Sequence, residues 1–426
     1  MNRDLLEVIH QSNPWLKDQD ELILDDRNFI YRHNIDTLLL PDWDTIWTVL
    51  IGPRQSGKTT LGRYLCQALI NQGRFRSTIY LNCDYFEIRN WLNQGPQFLD
   101  QVADQFELVK PILFIDEAQR LENPGLLLKT IVDLSKPIKL ITSGSSQLEI
   151  RAKIQEHLTG RQLETIVLPF SQLELKSSKI DLTQQLVFGS YPQVIKVQQK
   201  EIILSQLFSN YISKDIIEIL KVGKPDLMRN LIGLMAHSVG QLVNYQQLAV
   251  DCKSTIPTIQ NYLSILEQTY VLKAIKPFVG NKRTEITANP IYYFLDNGFR
   301  NQALQNFALF ENRSDAGFLA ENFVFQEIMK YKTQHFKNWD IHFWRTKSGA
   351  EVDFVIKAGQ RIIPIEVKYQ NMKGPKLTRG FRSFLKTYQP SLSAVITKSF
   401  TTKVKEENGT VMFLTLEELG RILDKI

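Results

Sequence analysis

The feature that most constrains this chain is the segment GPRQSGKT at Gly52–Thr59. It has every fixed position of the pattern G-x-x-x-x-G-K-[ST]. A β-rich apolar run at 45–51 precedes it, and a helical pattern follows it through Leu69. The glycines let successive backbone N–H groups curl around a phosphate, and the N-terminus of the following helix favours the same anion. A strand, a phosphate-binding loop and a helix in this order predict an α/β fold that binds a nucleotide.

The segment supplies most of the predicted nucleotide ligands. Lys58 is expected to reach the β- and γ-phosphates of ATP, and the Thr59 hydroxyl is expected to ligate Mg²⁺. The other predicted cofactor-binding members of the segment and its flank are Gly52, Pro53, Arg54, Gln55, Ser56, Gly57 and Thr60.

A second motif lies downstream, where four apolar residues at 112–115 end in Asp116 and Glu117. An acid at the end of a buried strand beside a phosphate loop holds Mg²⁺ through water, and Asp116 is expected to have this role. The next carboxylate polarises the attacking water, which assigns Glu117 as the general base. An apolar run with two acids is a weak signal alone, but after a complete phosphate loop it indicates ATP hydrolysis.

Two further polar groups follow the last predicted strand of this region. Ser143 or Ser145 would emerge at the sheet edge where open α/β sheets bind ligands, and Ser145 is included in the predicted nucleotide site. A simple Ser/Gly turn explains the same segment equally well. Arg161 fits an arginine finger that enters a neighbouring subunit's site, and it also fits an ordinary solvated surface charge.

The spacing of apolar runs predicts how the chain is organised. Short buried strands separated by helical stretches predict a parallel sheet up to about residue 170. Strands are expected at 45–51, 78–82, 112–115 and 138–142. Beyond this region, two short helices near residue 251 and a β-ribbon outline a winged helix, and a third α/β pattern starts at Gly317. The predicted domains are 1–175, 176–305 and 306–426.

The third domain carries a second candidate site. The runs GAEVDFVI and PIEVK place Asp353, Glu366 and Lys368 on adjacent strands, and this pattern resembles the PD-(D/E)xK nuclease fold. Asp353 and Glu366 would ligate Mg²⁺ or Mn²⁺, Glu321 on the preceding helix would complete the metal shell, and Lys368 would stabilise developing charge. The alternatives are the charged face of an ordinary strand, or a nuclease-like domain that only binds nucleic acid.

Composition limits the choice of partners and compartment. The net charge of +6 favours anionic partners such as DNA. No apolar stretch approaches the ~20 residues that span a bilayer, so no membrane partner is expected. The charged N-terminal stretch does not look like a signal peptide, so a cytoplasmic location is expected.

Taken in order, the motifs resemble the bacterial and archaeal AAA+ ATPases of the AAA_14 type that carry a carboxyl-terminal DUF4143 region. The segments that carry this resemblance are NPWL from Asn13, GPRQSGKTT from Gly52, LFIDEAQ from Leu113, TSGSS from Thr142, LTGR from Leu158, GSYP from Gly189, YISKDI from Tyr211 and IEVK from Ile365. The resemblance implies an α/β chain with a P-loop AAA+ parallel-sheet domain, a winged-helix domain and a PD-(D/E)xK nuclease-like domain. It also implies a homo-oligomer, with a hexameric ring as the form common among AAA+ relatives.

Two functions are consistent with these patterns. The first is an ATP-driven machine that acts on duplex or branched DNA, with a possible metal-dependent nuclease module. The second is a nucleotide-controlled interaction protein, in which the winged helix and the third domain bind protein partners without cutting DNA.

The motif at Asp116 and Glu117 generates a prediction. We expect Glu117→Gln to keep ATP binding while slowing hydrolysis by at least about 100-fold, because the amide preserves the shape but cannot accept a proton. Titration with a fluorescent ATP analogue measures binding, and phosphate release measures turnover. A variant that hydrolyses ATP at the wild-type rate would remove Glu117 from the role of base.

Overall fold

The chain divides into two compact units in a computed structural model, which describes residues 3–17, 22–25, 27, 29–134, 137–144, 161–178, 180–218, 223–279 and 288–426. Unit 1 comprises Met1–Leu168 with Thr333–His335, and unit 2 comprises Pro169–Lys332 with Phe336–Ile426. The finer division of the chain into the domains 1–175, 176–305 and 306–426 stays a prediction.

Unit 1 is built on a five-stranded sheet in the order β2-β3-β4-β1-β5, and all its strand pairs are parallel. The strands are β1 Trp47–Ile51, β2 Ser77–Asn82, β3 Pro111–Asp116, β4 Lys139–Gly144 and β5 Gln162–Ile166. Strands β1 and β4 are buried along their whole length, and the sequence of β1, WTVLI, is a nearly continuous apolar run of the kind that burial on both faces favours. The predicted parallel sheet is therefore confirmed, and β5 is an additional edge strand.

The helices of unit 1 connect these strands. They are α1 Arg3–Ser12, α2 Asn34–Leu38, α3 Lys58–Asn71, α4 Phe86–Asn93, α5 Phe98–Phe106 and α6 Pro124–Asp133. Helix α3 packs very closely on β3, because a Cβ added to Gly62 would lie 2.3 Å from Cζ of Phe114. This close packing brings the start of α3 near the acidic end of β3.

The outer edge of β2 is covered by a side chain. Asn13 is fully buried, its Nδ2 donates to the carbonyl of Tyr80 at 2.8 Å, and its Oδ1 accepts from the Tyr80 N–H at 2.6 Å. The indole N–H of Trp15 donates to the carbonyl of Thr78 at 2.9 Å. These side chains take the place of a neighbouring strand and satisfy backbone groups that burial would otherwise leave unpaired.

Unit 2 contains an eight-stranded mixed sheet in the order β12-β13-β11-β10-β9-β8-β6-β7. The strands are β6 Leu272–Pro277, β7 Ile291–Phe294, β8 Asp340–Arg345, β9 Glu351–Ala358, β10 Arg361–Lys368, β11 Leu392–Thr397, β12 Thr402–Glu406 and β13 Gly409–Thr415. The antiparallel hairpin β6–β7 joins the others because β6 pairs in parallel with β8, with Lys276 opposite His342. The hairpin predicted for the winged helix thus extends the sheet of the carboxyl-terminal region.

The helices of unit 2 include those expected for a winged helix. They are α7 Gln172–Leu175, α8 Leu182–Phe188, α9 Pro192–Lys196, α10 Lys200–Asn210, α11 Pro225–His237, α12 Tyr245–Asp251, α13 Ile256–Gln268, α14 Asn297–Ala303, α15 Ala316–Gln334, α16 Arg379–Tyr388 and α17 Gly420–Leu423, with a π-helix at Tyr211–Glu218. Helices α12 and α13 followed by β6 and β7 give the predicted order. The sequence also predicts a wing with two cations, Lys282 and Arg283, and both lie outside the described residues.

Helix α15 holds unit 2 together through buried polar side chains. Asn322 accepts from the N–H of Phe294 at 2.8 Å and donates to its carbonyl at 3.1 Å, so it covers the outer edge of β7. Lys330 is fully buried, where it contacts Glu327 at 3.0 Å and donates to the carbonyl of Phe170 at 2.9 Å. Across the described parts of the chain, no helix is both long enough and apolar enough to cross a bilayer.

The edge contact of β2 generates a stability prediction. Replacing Asn13 with alanine leaves two Tyr80 backbone groups without their partner, and each buried unsatisfied group costs about 1–3 kcal/mol. We expect Asn13→Ala to lower the free energy of unfolding by several times the effect of Asn71→Ala, which changes an exposed asparagine. Urea denaturation measures both variants. Equal effects of the two substitutions would contradict the assigned role of Asn13.

Candidate functional site

The phosphate-binding loop depends on two glycines in unusual backbone conformations. Gly52 has a φ of +145°, and Gly57 has a φ of +98°. A Cβ at Gly52 would lie 2.3 Å from the carbonyl oxygen of Val167, so a side chain is excluded by space as well as by conformation. The loop of the sequence motif therefore has the shape that the pattern predicts.

Lys58 is folded back onto this loop. Its side chain is buried, and Nζ donates to the carbonyls of Gly52 at 3.1 Å and Pro53 at 2.8 Å. Of the other loop members, Ser56 is buried, Arg54 is half-buried, and Gln55 and Thr60 are exposed. The ammonium group thus lies against the loop whose phosphate ligand it is predicted to bind.

Arg32 braces the loop from the amino-terminal segment. Its guanidinium is buried and donates to the carbonyls of Ser56 at 2.5 Å and Leu168 at 2.9 Å. It therefore ties the phosphate loop to the segment that follows β5. No sequence pattern marks Arg32, because it is a single arginine in a short helical lead-in.

Asp116 is the centre of a network of hydroxyl groups. Its Oδ2 accepts from Oγ1 of Thr59 at 2.8 Å and from the phenol of Tyr80 at 2.8 Å, and its Oδ1 accepts from the hydroxyl of Ser143. Burial, followed by the charge of Asp116, raises the pKa of Tyr80. Tyr80 therefore keeps its proton and remains a donor to the carboxylate.

Glu117 is held in a conformation that is uncommon for a residue with a side chain. Its φ is +52°, its Oε2 accepts from Nε2 of Gln119 at 2.5 Å, and its N–H donates to Oγ of Ser143 at 3.2 Å. Ser143 thus contacts both acids of the motif. Ser145 lies outside the described residues, so its place in the nucleotide site stays a prediction.

Arg161 lies on the surface of unit 1. Its Nη1 is 2.5 Å from Oδ1 of Asp133, and the two side chains are 61% and 43% exposed. An ion pair this exposed contributes little to stability. The geometry leaves the arginine accessible, and its role as a finger stays a prediction.

The structure brings together the predicted acidic residues of unit 2. Strands β9 and β10 are antiparallel neighbours, and Oδ2 of Asp353 accepts from the N–H of Val367 at 2.7 Å. On β10, Nζ of Lys368 lies 3.3 Å from Oε1 of Glu366. Asp353, Glu366 and Lys368 therefore share one region of the sheet, as strand periodicity predicts.

Two hydroxyl groups that the sequence analysis missed hold acids of this region. Thr378 caps α16, and its Oγ1 donates to Glu366 at 2.8 Å while it accepts from the N–H of Phe381 at 3.1 Å. The phenol of Tyr293 on β7 donates to Oε1 of Glu321 at 2.6 Å. A threonine before a helical pattern is a recognisable cap signal, whereas nothing local marks Tyr293.

Burial and neighbouring charges shift the pKa values of the ionisable side chains in this region. Burial raises the pKa of Asp353 to about 6, against the opposing effect of Lys368. Burial and the charge of Asp353 raise the pKa of Glu321 well above its usual range, and burial also raises that of Glu366. Burial lowers the pKa of Lys368, but the charges of Asp353 and Glu366 outweigh it and raise that pKa. Crowded carboxyl groups of this kind favour a cation.

The donor groups of both units fit a hard cation that keeps much of its water. Among the described residues, no three His, Cys, Asp or Glu side chains form a ready-made metal cage. Mg²⁺ usually binds through one or two carboxylates and several waters. Thr59 with Asp116 in unit 1, and Asp353 with Glu366 in unit 2, offer oxygen donors of that kind.

Comparison with known proteins gives three matches to family models. Residues 45–176 match a AAA domain of the AAA_14 type, residues 179–309 match a domain of unknown function, DUF8612, and residues 316–419 match another, DUF4143. A similar protein from Haemophilus influenzae, described as uncharacterised, is 25% identical over 76% of this chain and 82% of its own length. An uncharacterised protein of Mycobacterium tuberculosis is 24% identical over 82% of this chain and 75% of its own length.

Solved structures give weaker similarities. PCH-2 of C. elegans matches with 14% identity and a TM-score of 0.23, over 61% of this chain and 67% of that chain. A chain of the E. coli HORMA:CdnC:Trip13 complex matches with 14% identity and a TM-score of 0.24, over 48% of this chain and 69% of that chain. Scores this low carry no argument about function. The family matches and the observed sheets confirm the predicted resemblance: the chain contains a AAA-type nucleotide-binding domain followed by a carboxyl-terminal DUF4143 domain.

Proposed function

We propose that this protein is a Mg²⁺-dependent ATPase that acts on DNA. The observation that supports the ATPase part best is the 2.8 Å contact between Thr59 and Asp116, which joins the end of the phosphate loop to the acid of β3. These are the two residues that would hold Mg²⁺ beside a nucleotide. When bound, Mg²⁺ would neutralise charge on the β- and γ-phosphates.

Each residue of the nucleotide site would have a separate role in hydrolysis. Lys58 would leave the loop carbonyls and pair with phosphate oxygens, while the loop N–H groups enclose the β-phosphate. Glu117 would accept the proton of the attacking water at a carboxylate oxygen. Its present partner, Gln119, orients that carboxylate. Ser143 would hold Asp116 and the Glu117 backbone in fixed relation.

The distribution of charge supports a nucleic-acid partner. Residues 341–405 contain thirteen lysines and arginines but only three acids, an excess of ten positive charges, whereas the whole chain has an excess of six. The rest of the chain is therefore net negative. A positive surface of this kind attracts the phosphate backbone of DNA. The exposed cations are Arg345, Lys347, Lys357, Arg361, Lys373, Lys376, Arg379, Arg382, Lys386, Lys398, Lys403 and Lys405.

Helix α16 links this basic surface to the acidic residues of unit 2. Arg379, Arg382 and Lys386 are spaced three and four residues apart, so they share one exposed face of the helix. The opposite face buries Phe381 and Phe384 in the core, and the cap of the helix contacts Glu366. A DNA strand held along this basic face of α16 would lead toward Glu366 and Lys368.

A nuclease-like role of unit 2 is part of the proposal. Asp353 and Glu366 would hold Mg²⁺ or Mn²⁺, and Lys368 would stabilise negative charge that develops on a phosphate. Assembly is also proposed: a homo-oligomer, such as a ring, would let the exposed Arg161 approach a neighbouring subunit's nucleotide.

The hydroxyl network of Asp116 generates a prediction for the ATPase. We expect Ser143→Ala to slow ATP hydrolysis by about 10- to 100-fold, the usual effect of removing a group that orients a metal-holding residue. Thr142→Val is the matched control, because Thr142 bonds to Trp47 rather than to Asp116. Hydrolysis is measured over a range of Mg²⁺ concentrations. Equal rates for the two variants would contradict the role of Ser143.

The basic face of α16 generates a prediction for DNA binding. We expect the triple variant Arg379→Glu, Arg382→Glu and Lys386→Glu to weaken binding of duplex DNA. We also expect the slope of log K against log salt to become shallower by about two to three, because about 0.9 of a counterion is released per phosphate contact. Fluorescence anisotropy at several salt concentrations measures both quantities.

The control carries the same change of net charge on unit 1, as Arg3→Glu, Lys17→Glu and Lys110→Glu, all at exposed positions. If the two triple variants bind DNA equally, α16 is not the contact surface. If the wild-type protein binds no DNA and its ATPase rate is unchanged by duplex or branched DNA, the second function, regulation of protein partners, takes its place.

A further inference from the structure

The carboxylate of Glu321 is held by a residue from the predicted winged-helix segment, residues 176–305. Tyr293 lies on β7, is 1% exposed, and donates its phenol proton to Oε1 of Glu321 at 2.6 Å. Glu321 itself lies on α15, within the DUF4143 match. The bond therefore joins two regions that match different family models.

The ring of Tyr293 has little freedom to move. It stacks on Phe325 of α15 with a centroid distance of 4.6 Å, and it packs against Phe354 of β9 at 5.3 Å. Phe325 lies four residues after Glu321, one turn further along the helix, and Phe354 follows Asp353 directly. The phenol is thus fixed by the same two elements that carry two of the acids.

A second part of the winged-helix segment also lies against Glu321. Gly240, between α11 and α12, has a φ of +75°, and a Cβ there would lie 2.9 Å from Oε1 of Glu321. The carboxylate oxygen that accepts from Tyr293 is thus enclosed by backbone as well, so its position is set from two directions. The other carboxylate oxygen, Oε2, would lie 3.5 Å from the same Cβ.

We propose that Tyr293 is a positioning residue for the acidic site of unit 2, and that it acts by fixing Glu321. The inference rests on the proposed metal-binding role of that site. Asp353 and Glu366 are oriented by a backbone N–H and a threonine hydroxyl, whereas the phenol does this for Glu321. Removing the hydrogen-bond partner of a metal ligand typically lowers metal affinity by about 10- to 100-fold. The winged-helix segment would then be a structural part of the acidic site, and a shift of β7 would change the affinity of that site for a cation.

The test measures Mn²⁺ binding to the full chain without nucleotide. The electron paramagnetic resonance signal of free Mn²⁺ reports how much of the ion remains unbound. The difference between the wild-type protein and Asp353→Ala defines the binding that belongs to unit 2. We expect Tyr293→Phe, which keeps the ring and removes only the hydroxyl, to weaken this binding by about tenfold or more.

Two comparisons separate positioning from a general structural effect. Tyr292→Phe is the matched control, because Tyr292 is the buried neighbour on the same strand and its hydroxyl interacts with Tyr245. It should keep the wild-type Mn²⁺ affinity. In a Glu321→Ala background, which removes the acceptor of the Tyr293 hydroxyl, Tyr293→Phe should have less than about a twofold effect, because a residue that acts through Glu321 has nothing left to position.

Two other outcomes are informative: one contradicts the positioning role of Tyr293, and the other contradicts the metal site itself. If Tyr293→Phe binds Mn²⁺ as well as the wild-type protein, or weakens binding equally in both backgrounds, Tyr293 is not a positioning residue. If the wild-type protein shows no Mn²⁺ binding that depends on Asp353, the proposed metal site of unit 2 is wrong and the inference falls with it. Circular dichroism of each variant confirms that the comparison is made on folded protein.

Discussion

Both sheets depend on the need to pair the backbone groups of an edge strand. Asn13 does this for β2 by bonding to both backbone groups of Tyr80, and Asn322 does it for β7 by bonding to both backbone groups of Phe294. An asparagine is suited to the task because its amide carries one donor and one acceptor group in the arrangement of a peptide unit. Without these contacts, buried N–H and C=O groups would be left unpaired at a cost of about 1–3 kcal/mol each.

The same edge strands supply the phenols that hold the acids. The backbone of Tyr80 bonds to Asn13, and its hydroxyl donates to Asp116. The hydroxyl of Tyr293, the residue before Phe294, donates to Glu321. In each unit, an asparagine therefore covers the outer edge of the strand that also carries such a tyrosine. The edge contact and the tyrosine–carboxylate contact thus involve the same residue in unit 1 and neighbouring residues in unit 2.

Local sequence patterns predicted the elements whose signal is contained in a few consecutive residues. The phosphate loop and the buried strands of unit 1 are of this kind, because burial on both faces produces a continuous apolar run. Strand β5 was missed because Gln162 and Glu164 are polar and half-exposed at the sheet edge. The partnership of Tyr80 with Asp116 was missed because it joins residues 36 positions apart and depends on β2 lying beside β3.

The two acidic sites differ in what balances their charge. Around Asp116, the described partners within hydrogen-bonding distance are neutral hydroxyls, which orient the carboxylate without cancelling its charge. In unit 2, Lys368 partly offsets the carboxylates, yet burial and mutual repulsion still raise the pKa of Asp353 to about 6. In the proposed function, a cation that entered there would relieve this repulsion, and the exposed lysines and arginines outside the site would attract phosphate groups. The proposed function therefore assigns the metal to the acids inside the site and the nucleic acid to the cations outside it.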